Sequence, residues 1–229
     1  MEETKERVRY EVRSVFDIIG PVMIGPSSSH TAGAARIGKM ARELFGRQPD
    51  WAKIHLYGSF AKTYQGHGTD VALVGGILGF STYDERIKDA LNLAKEANLD
   101  IEFIEEDGSS DHPNTARIQM GDEDGDFELV GISIGGGKAE ITELNGFELR
   151  LTGQSPAILV MHNDRFGAIA AVTNVLAEHE INIGHMEVAR KEEGKDAMMI
   201  IETDERIPDH IMDELNKCDH IMQVVTISE

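Results

Sequence analysis

Ser27-Ser28-Ser29-His30-Thr31 gathers four hydroxyls and one imidazole into five consecutive residues, just after Gly25-Pro26. A helix start needs only one such residue, whose side-chain oxygen accepts a free N-terminal N–H. Ser28 or Ser29 would serve a helix that begins at Thr31. The surplus hydroxyls, with the backbone N–H groups of a helix N-terminus, suit a carboxylate. His30 stands beside that anion site and titrates near neutrality, as a base for proton abstraction should. The stretch therefore reads either as an over-capped helix start or as a substrate cradle with its own base. A nucleophilic serine with a histidine base is a third reading. Side chains adjacent in sequence seldom converge as that requires, and no orienting group is evident.

Two more polar turns have similar composition. Gly66-His67-Gly68-Thr69-Asp70 follows a strand pattern, and Asp111-His112-Pro113-Asn114 forms another. His67 either orients loop backbone or meets a substrate, and Asn114 is either a turn former or a contact. Gly135-Gly136-Gly137-Lys138 lacks the spacing and the Ser/Thr of a phosphate loop, so it predicts a hairpin turn. Cys218 is the single cysteine. It permits no intrachain disulfide and no cysteine-ligated cluster from this chain alone. It falls in an apolar-flanked helical segment as a buried or half-buried thiol.

The elements that must position these residues follow from periodicity. Ala34, Ile37, Gly38, Ala41, Leu44 and Phe45 predict an amphipathic helix over 31–45. KIHLYGSF reads as a strand, GHGTDVALVGGILG as a turn into a buried glycine-rich helix, and ERIKDALNLAKEAN as a helix. DIEFIEE, TARIQMG, FELVGISIGG, KAEITELNG and FELRL read as strands joined by glycine turns. The pattern restarts near Ser155. AILVMHN is a strand, and GAIAAVTNVLAEHE a helix with Ile169, Val172, Val175 and Leu176 on one face. INIGHMEVARKEE and DAMMIIETDE are strands, PDHIMDELNKCD a helix and IMQVVTIS a strand. This βαββαβ order is ferredoxin-like. The expected fold class is α+β, with a mixed α+β domain over 1–153 and a ferredoxin-like domain over 154–229.

Lys and Arg total 22 against 41 Asp and Glu, a formal charge of −19. Such a chain repels phosphate backbones and anionic bilayers, so nucleic acid and membrane are not expected partners. No apolar run approaches the roughly 20 residues of a membrane helix. The N-terminus, MEETKERVRYEVRS, is charged and lacks a signal-peptide core. A cytoplasmic location is expected.

The C-terminal segment ILVMHNDRFGAIAAVTNVLAEHEINIGHMEVAR resembles an ACT domain, a small-molecule regulatory module that often binds amino acids and pairs through its sheets. The resemblance implies an effector site lined by the 162–167 loop, with Asn163 and Gly167, and by the strand start Asn182-Ile183. It also implies an ACT-mediated homodimer. Over the whole chain, SVFDIIGPVMIGPSSSHTAGAARIGKMARELFG, YGSFAKTYQGHGTDVALVGGILGF, DHPNTARI and GISIGGGKAEI resemble the beta subunit of the two-subunit, iron–sulfur-dependent L-serine dehydratases. The first domain would then be related to the allosteric substrate-binding domain of some phosphoglycerate dehydrogenases. The implied reaction is L-serine to pyruvate and ammonia. The implied cofactor is a [4Fe–4S] cluster held by a separate alpha subunit, acting as Lewis acid on the substrate hydroxyl. By motif match this chain would contribute His30 as base, and Ser28, Ser29, Thr31, His67, Thr69, Asp70 and Asn114 around L-serine. A free-standing amino-acid-binding regulatory protein is the alternative.

Overall fold

The computed structural model describes residues 22–108 and 110–227. Gly20-Pro21 of the SVFDIIGPVMIGPSSSH stretch and Ser228, the last residue of the final strand pattern, lie outside them. A π-helical turn, Ser28–Ala32, opens the first helix, α1 (Gly33–Phe45). Then come β1 (Trp51–Tyr57), α2 (Gly58–His67), α3 (Thr69–Ile77), a 3-10 turn (Glu85–Asp89) and α4 (Ala90–Glu96). Strands β2 (Asp100–Glu105), β3 (Asn114–Asp122), β4 (Gly125–Gly135), β5 (Lys138–Leu144) and β6 (Phe147–Leu151) complete the first unit. The second unit is β7 (Ala157–Asn163), α5 (Ala168–Glu178), β8 (Ile183–Arg190), β9 (Asp196–Thr203), α6 (Asp209–Leu215) and β10 (Ile221–Ile227). The architecture is α+β, as the patterns predicted.

The first sheet runs β2-β1-β3-β4-β5-β6. Only β1 and β2 pair in parallel, because α2, α3 and α4 carry the chain across between them. Ala52, Ile54, Leu56, Ala116, Ile118 and Met120 alternate onto one face and are buried. Helix α1 lays Ala34, Ile37, Ala41 and Leu44 on the same core, and Gly46 ends it in a left-handed cap at φ +81°. Helices α1 and α3 touch backbone to backbone. A Cβ on Gly38 would lie 2.1 Å from the Leu73 carbonyl oxygen, and one on Gly76 2.2 Å from that of Ala35.

The second sheet runs β10-β7-β9-β8, all antiparallel. One face (Ile158, Val160, Met199, Ile201, Val224) packs with Val172, Leu176, Ile211 and Leu215 of α5 and α6. The other face (Leu159, Met198, Ile200, Ile227) joins the same apolar cluster as Met40 of α1 and Leu149 and Leu151 of β6. The chain passes from one sheet to the other between Leu151 and Ala157, yet the two share a core.

Four sequence expectations are corrected. Gly58-Ser59-Phe60 does not extend β1 but opens α2, since Gly58 takes φ +55° and turns the chain. The 85–98 helix divides at Asp89 into the 3-10 turn and α4, and Asp84 caps the start of the 3-10 turn by accepting from the Arg86 N–H. Ile169 is 41% exposed, and Ala168 takes its place on the buried face of α5. Cys218 lies just beyond α6, half-buried against the second core.

Candidate functional site

The serine turn caps itself before α1 begins. Ser27, not Ser28 or Ser29, is the N-cap, and its Oγ accepts the His30 N–H at 3.3 Å. The Gly33 N–H reaches back to the Ser28 carbonyl, the five-residue step of a π turn. This wide turn swings the His30 ring inward. Its Nδ1 lies 3.1 Å from Ser29 Oγ and 3.4 Å from Ser27 Oγ. Its Nε2 lies 2.9 Å from Ser59 Oγ. The ring meets Phe60 edge-on at 5.4 Å and His67 at 4.9 Å between centroids. Ser29 and His30 thus do converge, against expectation. The group behind the imidazole is a hydroxyl rather than the carboxylate of a hydrolase triad.

The imidazole of His30 is held below its ordinary pKa, first by burial and then by the neighbouring His67. It is therefore a neutral base at neutral pH. That is the protonation state required for taking a proton beside a carboxylate.

The other expected residues divide. His67 closes α2 beside His30, with Gly68 in the left-handed conformation linking α2 to α3. Thr31 is buried, and its hydroxyl donates to the His67 carbonyl at 3.4 Å, so it ties the two turns together. Thr69 is wholly buried, and its hydroxyl has no partner among the described residues. Asp70 sits half-buried in the first turn of α3, and burial pushes its carboxyl up. Asn114 starts β3 opposite Gly58 and donates to the Ser133 carbonyl at 3.4 Å. Its turn anchors the site, since the Pro113 carbonyl accepts the Ser59 N–H at 2.6 Å. Ser59 was missed because HLYGSF alternates like a strand. The available signal was Gly followed by Ser at a strand end, with Phe60, Ala61 and Tyr64 at helical spacing.

The second expected site is not assembled within one chain. Asn163 ends β7, and Gly167 caps α5 at φ +91° with open space where a Cβ would stand. Asn182 donates to Asp204 Oδ2 at 2.6 Å, and Ile183 is half-buried against the second core. Asn163 pairs with Asp196 and Ile183 with Thr203, the two ends of β9. The pairs therefore lie at opposite ends of the sheet. His162, expected with the Asn163 loop, is 2% exposed and turned inward.

A four-iron cluster is normally held by several thiolates. The single thiol, Cys218, is pushed up in pKa by burial and then by Glu214 and Asp219, the reverse of what a ligand needs. Among the described residues no group of three His, Cys, Asp or Glu side chains is arranged to hold a metal ion. The residues present do not fit an iron–sulfur cluster. No helix among the described residues is long and apolar enough to cross a membrane.

Comparison with known proteins gives two family matches. Residues 14–143 match the serine dehydratase beta chain family, and residues 157–220 the ACT domain family. A Bacillus subtilis protein described as a probable L-serine dehydratase beta chain is 65% identical over 217 residues, covering 95% of this chain and 99% of that one. The L-serine dehydratase beta chain of Peptoniphilus asaccharolyticus is 38% identical, covering 86% and 90%. A D-3-phosphoglycerate dehydrogenase of Bacillus subtilis is 27% identical, covering 85% of this chain and 37% of that one.

Proposed function

The chain belongs to the serine dehydratase beta chain family, and from that premise we propose that it is the beta subunit of an L-serine ammonia-lyase, acting with an iron–sulfur alpha subunit in the cytoplasm. The observation that carries the proposal is the His30 cradle: a neutral imidazole beside a turn of serine hydroxyls. Ser28, Ser29 and the N–H groups of the turn bind the substrate carboxylate. His30 takes the Cα proton, the C–H electron pair becomes the Cα–Cβ π bond, and the β-hydroxyl leaves with its own bonding pair, taking up a proton to depart as water. Aminoacrylate then tautomerises and hydrolyses to pyruvate and ammonia. To His67, Asp70 and Asn114 we assign further contacts with the substrate, and to Thr31 and Thr69 support of the turn. The [4Fe–4S] cluster is assigned to cysteines of the alpha subunit, because the donor set here does not fit it.

Anaerobic co-expression with the candidate alpha subunit tests this reading. The expected result is a brown complex that converts L-serine to pyruvate and loses both colour and activity in air. Serine deamination by this chain alone, without iron, would refute it. A complex that binds amino acids without turning them over would favour the alternative, a regulatory amino-acid-binding protein.

For the ACT module the reading is a two-copy effector site. Strand β8 is a sheet edge with Met186 and Val188 exposed. Antiparallel pairing of two such edges sets Asn163 and Gly167 of one copy at the same end as Asn182 and Ile183 of the other. Calorimetric titration of the full chain with L-serine should release heat, and Gly167→Val should abolish it. The branched side chain is strained at φ +91° and fills the open approach. Absence of amino-acid binding by the wild type would leave the module an assembly role only.

A further inference from the structure

A neutral imidazole carries one N–H and one lone pair, and the partner of the N–H decides which nitrogen is bare. Ser59 Oγ, 2.9 Å from His30 Nε2, makes a closer contact than either serine on the Nδ1 side. Its position owes nothing to the serine turn. The left-handed Gly58 turns the chain out of β1, and a Cβ there would stand 2.7 Å from the Pro113 carbonyl oxygen. That same carbonyl fixes the Ser59 N–H, and the Ser59 carbonyl accepts Thr63 Oγ1 at 2.8 Å. Ser59 is thus a rigid post, set by the β1–α2 corner and the turn before β3.

The Nδ1 side is different, since it faces the hydroxyls of the cradle. A base that takes the Cα proton of a substrate whose carboxylate lies there must present its lone pair at Nδ1. We infer that Ser59 is a positioning residue whose Oγ accepts the Nε2–H of His30, fixing the tautomer with a bare Nδ1 turned to the serine turn. On proton transfer Nδ1 gains the hydrogen, Nε2 keeps its own, and the imidazolium remains bonded to Ser59. A neutral acceptor orients the ring without the pull of a carboxylate. The catalytic meaning of this assignment rests on the proposed dehydratase reaction, whereas the tautomer does not.

Long-range proton–nitrogen correlation spectra of the full chain, labelled with nitrogen-15, test it directly. At neutral pH, His30 should show a protonated Nε2 and an unprotonated Nδ1. Ser59→Ala should mix the tautomers and draw the two resonances together, while Ser59→Thr should restore the wild-type pattern. In the complex with the alpha subunit, Ser59→Ala should lower kcat on the order of tenfold with KM nearly unchanged, and Ser59→Thr should recover it. A proton on Nδ1 in the wild type overturns the assignment, as does a tautomer or a kcat indifferent to Ser59→Ala. If the tautomer behaves as expected but the wild-type complex does not deaminate serine, the dehydratase reading fails and the Ser59 contact stands.

Discussion

His30→Asn should lower kcat of the assembled enzyme by about 10²–10⁴-fold, the usual contribution of a general base, while the protein folds and assembles normally. Asparagine keeps a polar group among Ser27, Ser29 and Ser59 but cannot accept the substrate proton. Ser29→Ala separates binding from proton transfer. It should raise KM more than it lowers kcat, because a carboxylate contact is made alike in ground and transition states. The pH profile gives a second handle. Burial and the neighbouring His67 both disfavour the His30 imidazolium. The acid limb of kcat/KM should therefore lie below the ordinary histidine value, with activity lost as pH falls through it. His67→Gln removes the like charge and should move that limb to higher pH. Near-wild-type turnover in His30→Asn would remove His30 from the chemistry and return the serine turn to a capping role.

Gly76→Ala should cost about 3 kcal/mol or more, by forcing a methyl into a filled space. Helix propensity alone predicts the opposite, a gain of up to about 1 kcal/mol for Gly to Ala inside a helix. The geometry decides which effect wins. A Cβ at Gly76 would stand 2.2 Å from the Ala35 carbonyl oxygen and 2.6 Å from the Lys39 amide nitrogen, both backbone atoms that cannot rotate away. Gly38 meets the Leu73 carbonyl in the same way from the other side. The α1–α3 crossing must therefore open, and with it the base of the helix that carries the serine turn. Gly66→Ala is the control, since nothing lies within 4 Å of its added Cβ. Thermal unfolding followed by circular dichroism should show a fall of roughly 6–12 °C for Gly76→Ala, at about 2–4 °C per kcal/mol for a chain of this size. A midpoint equal to wild type would show that the helices are not in backbone contact.

The sequence made part of this legible. Hydroxyls crowded before a helical stripe marked the serine turn at the start of α1, and clean periodicity over residues 157–227 marked the second unit. The β1–α2 corner was hidden, because Leu56, Gly58 and Phe60 alternate as a strand would while the left-handed glycine reverses the chain. Ser59 was lost with that corner. Ile169 was misplaced by one position, since α5 begins beneath Ala168 and the exposed isoleucine lies beside it. Asn163 and Gly167 on one side, and Asn182 and Ile183 on the other, were brought together only by the family resemblance. Strand register, which separates them, is not written in local pattern. One signal was present and unread. AILVM and AMMII are continuous apolar runs rather than alternating ones, as strands covered on both faces require.

Those doubly covered strands have a consequence for how the molecule melts. Leu159, Met198 and Ile200 lie in one apolar cluster with Met40, two helical turns along α1 from the π turn that carries His30. The seam between the two family modules is therefore a seam of ancestry only. Heat has no weak plane to find there, and severing the chain would lay bare two greasy faces at once. Apolar packing is continuous from the second sheet through Met40 into α1, the helix that the serine turn opens.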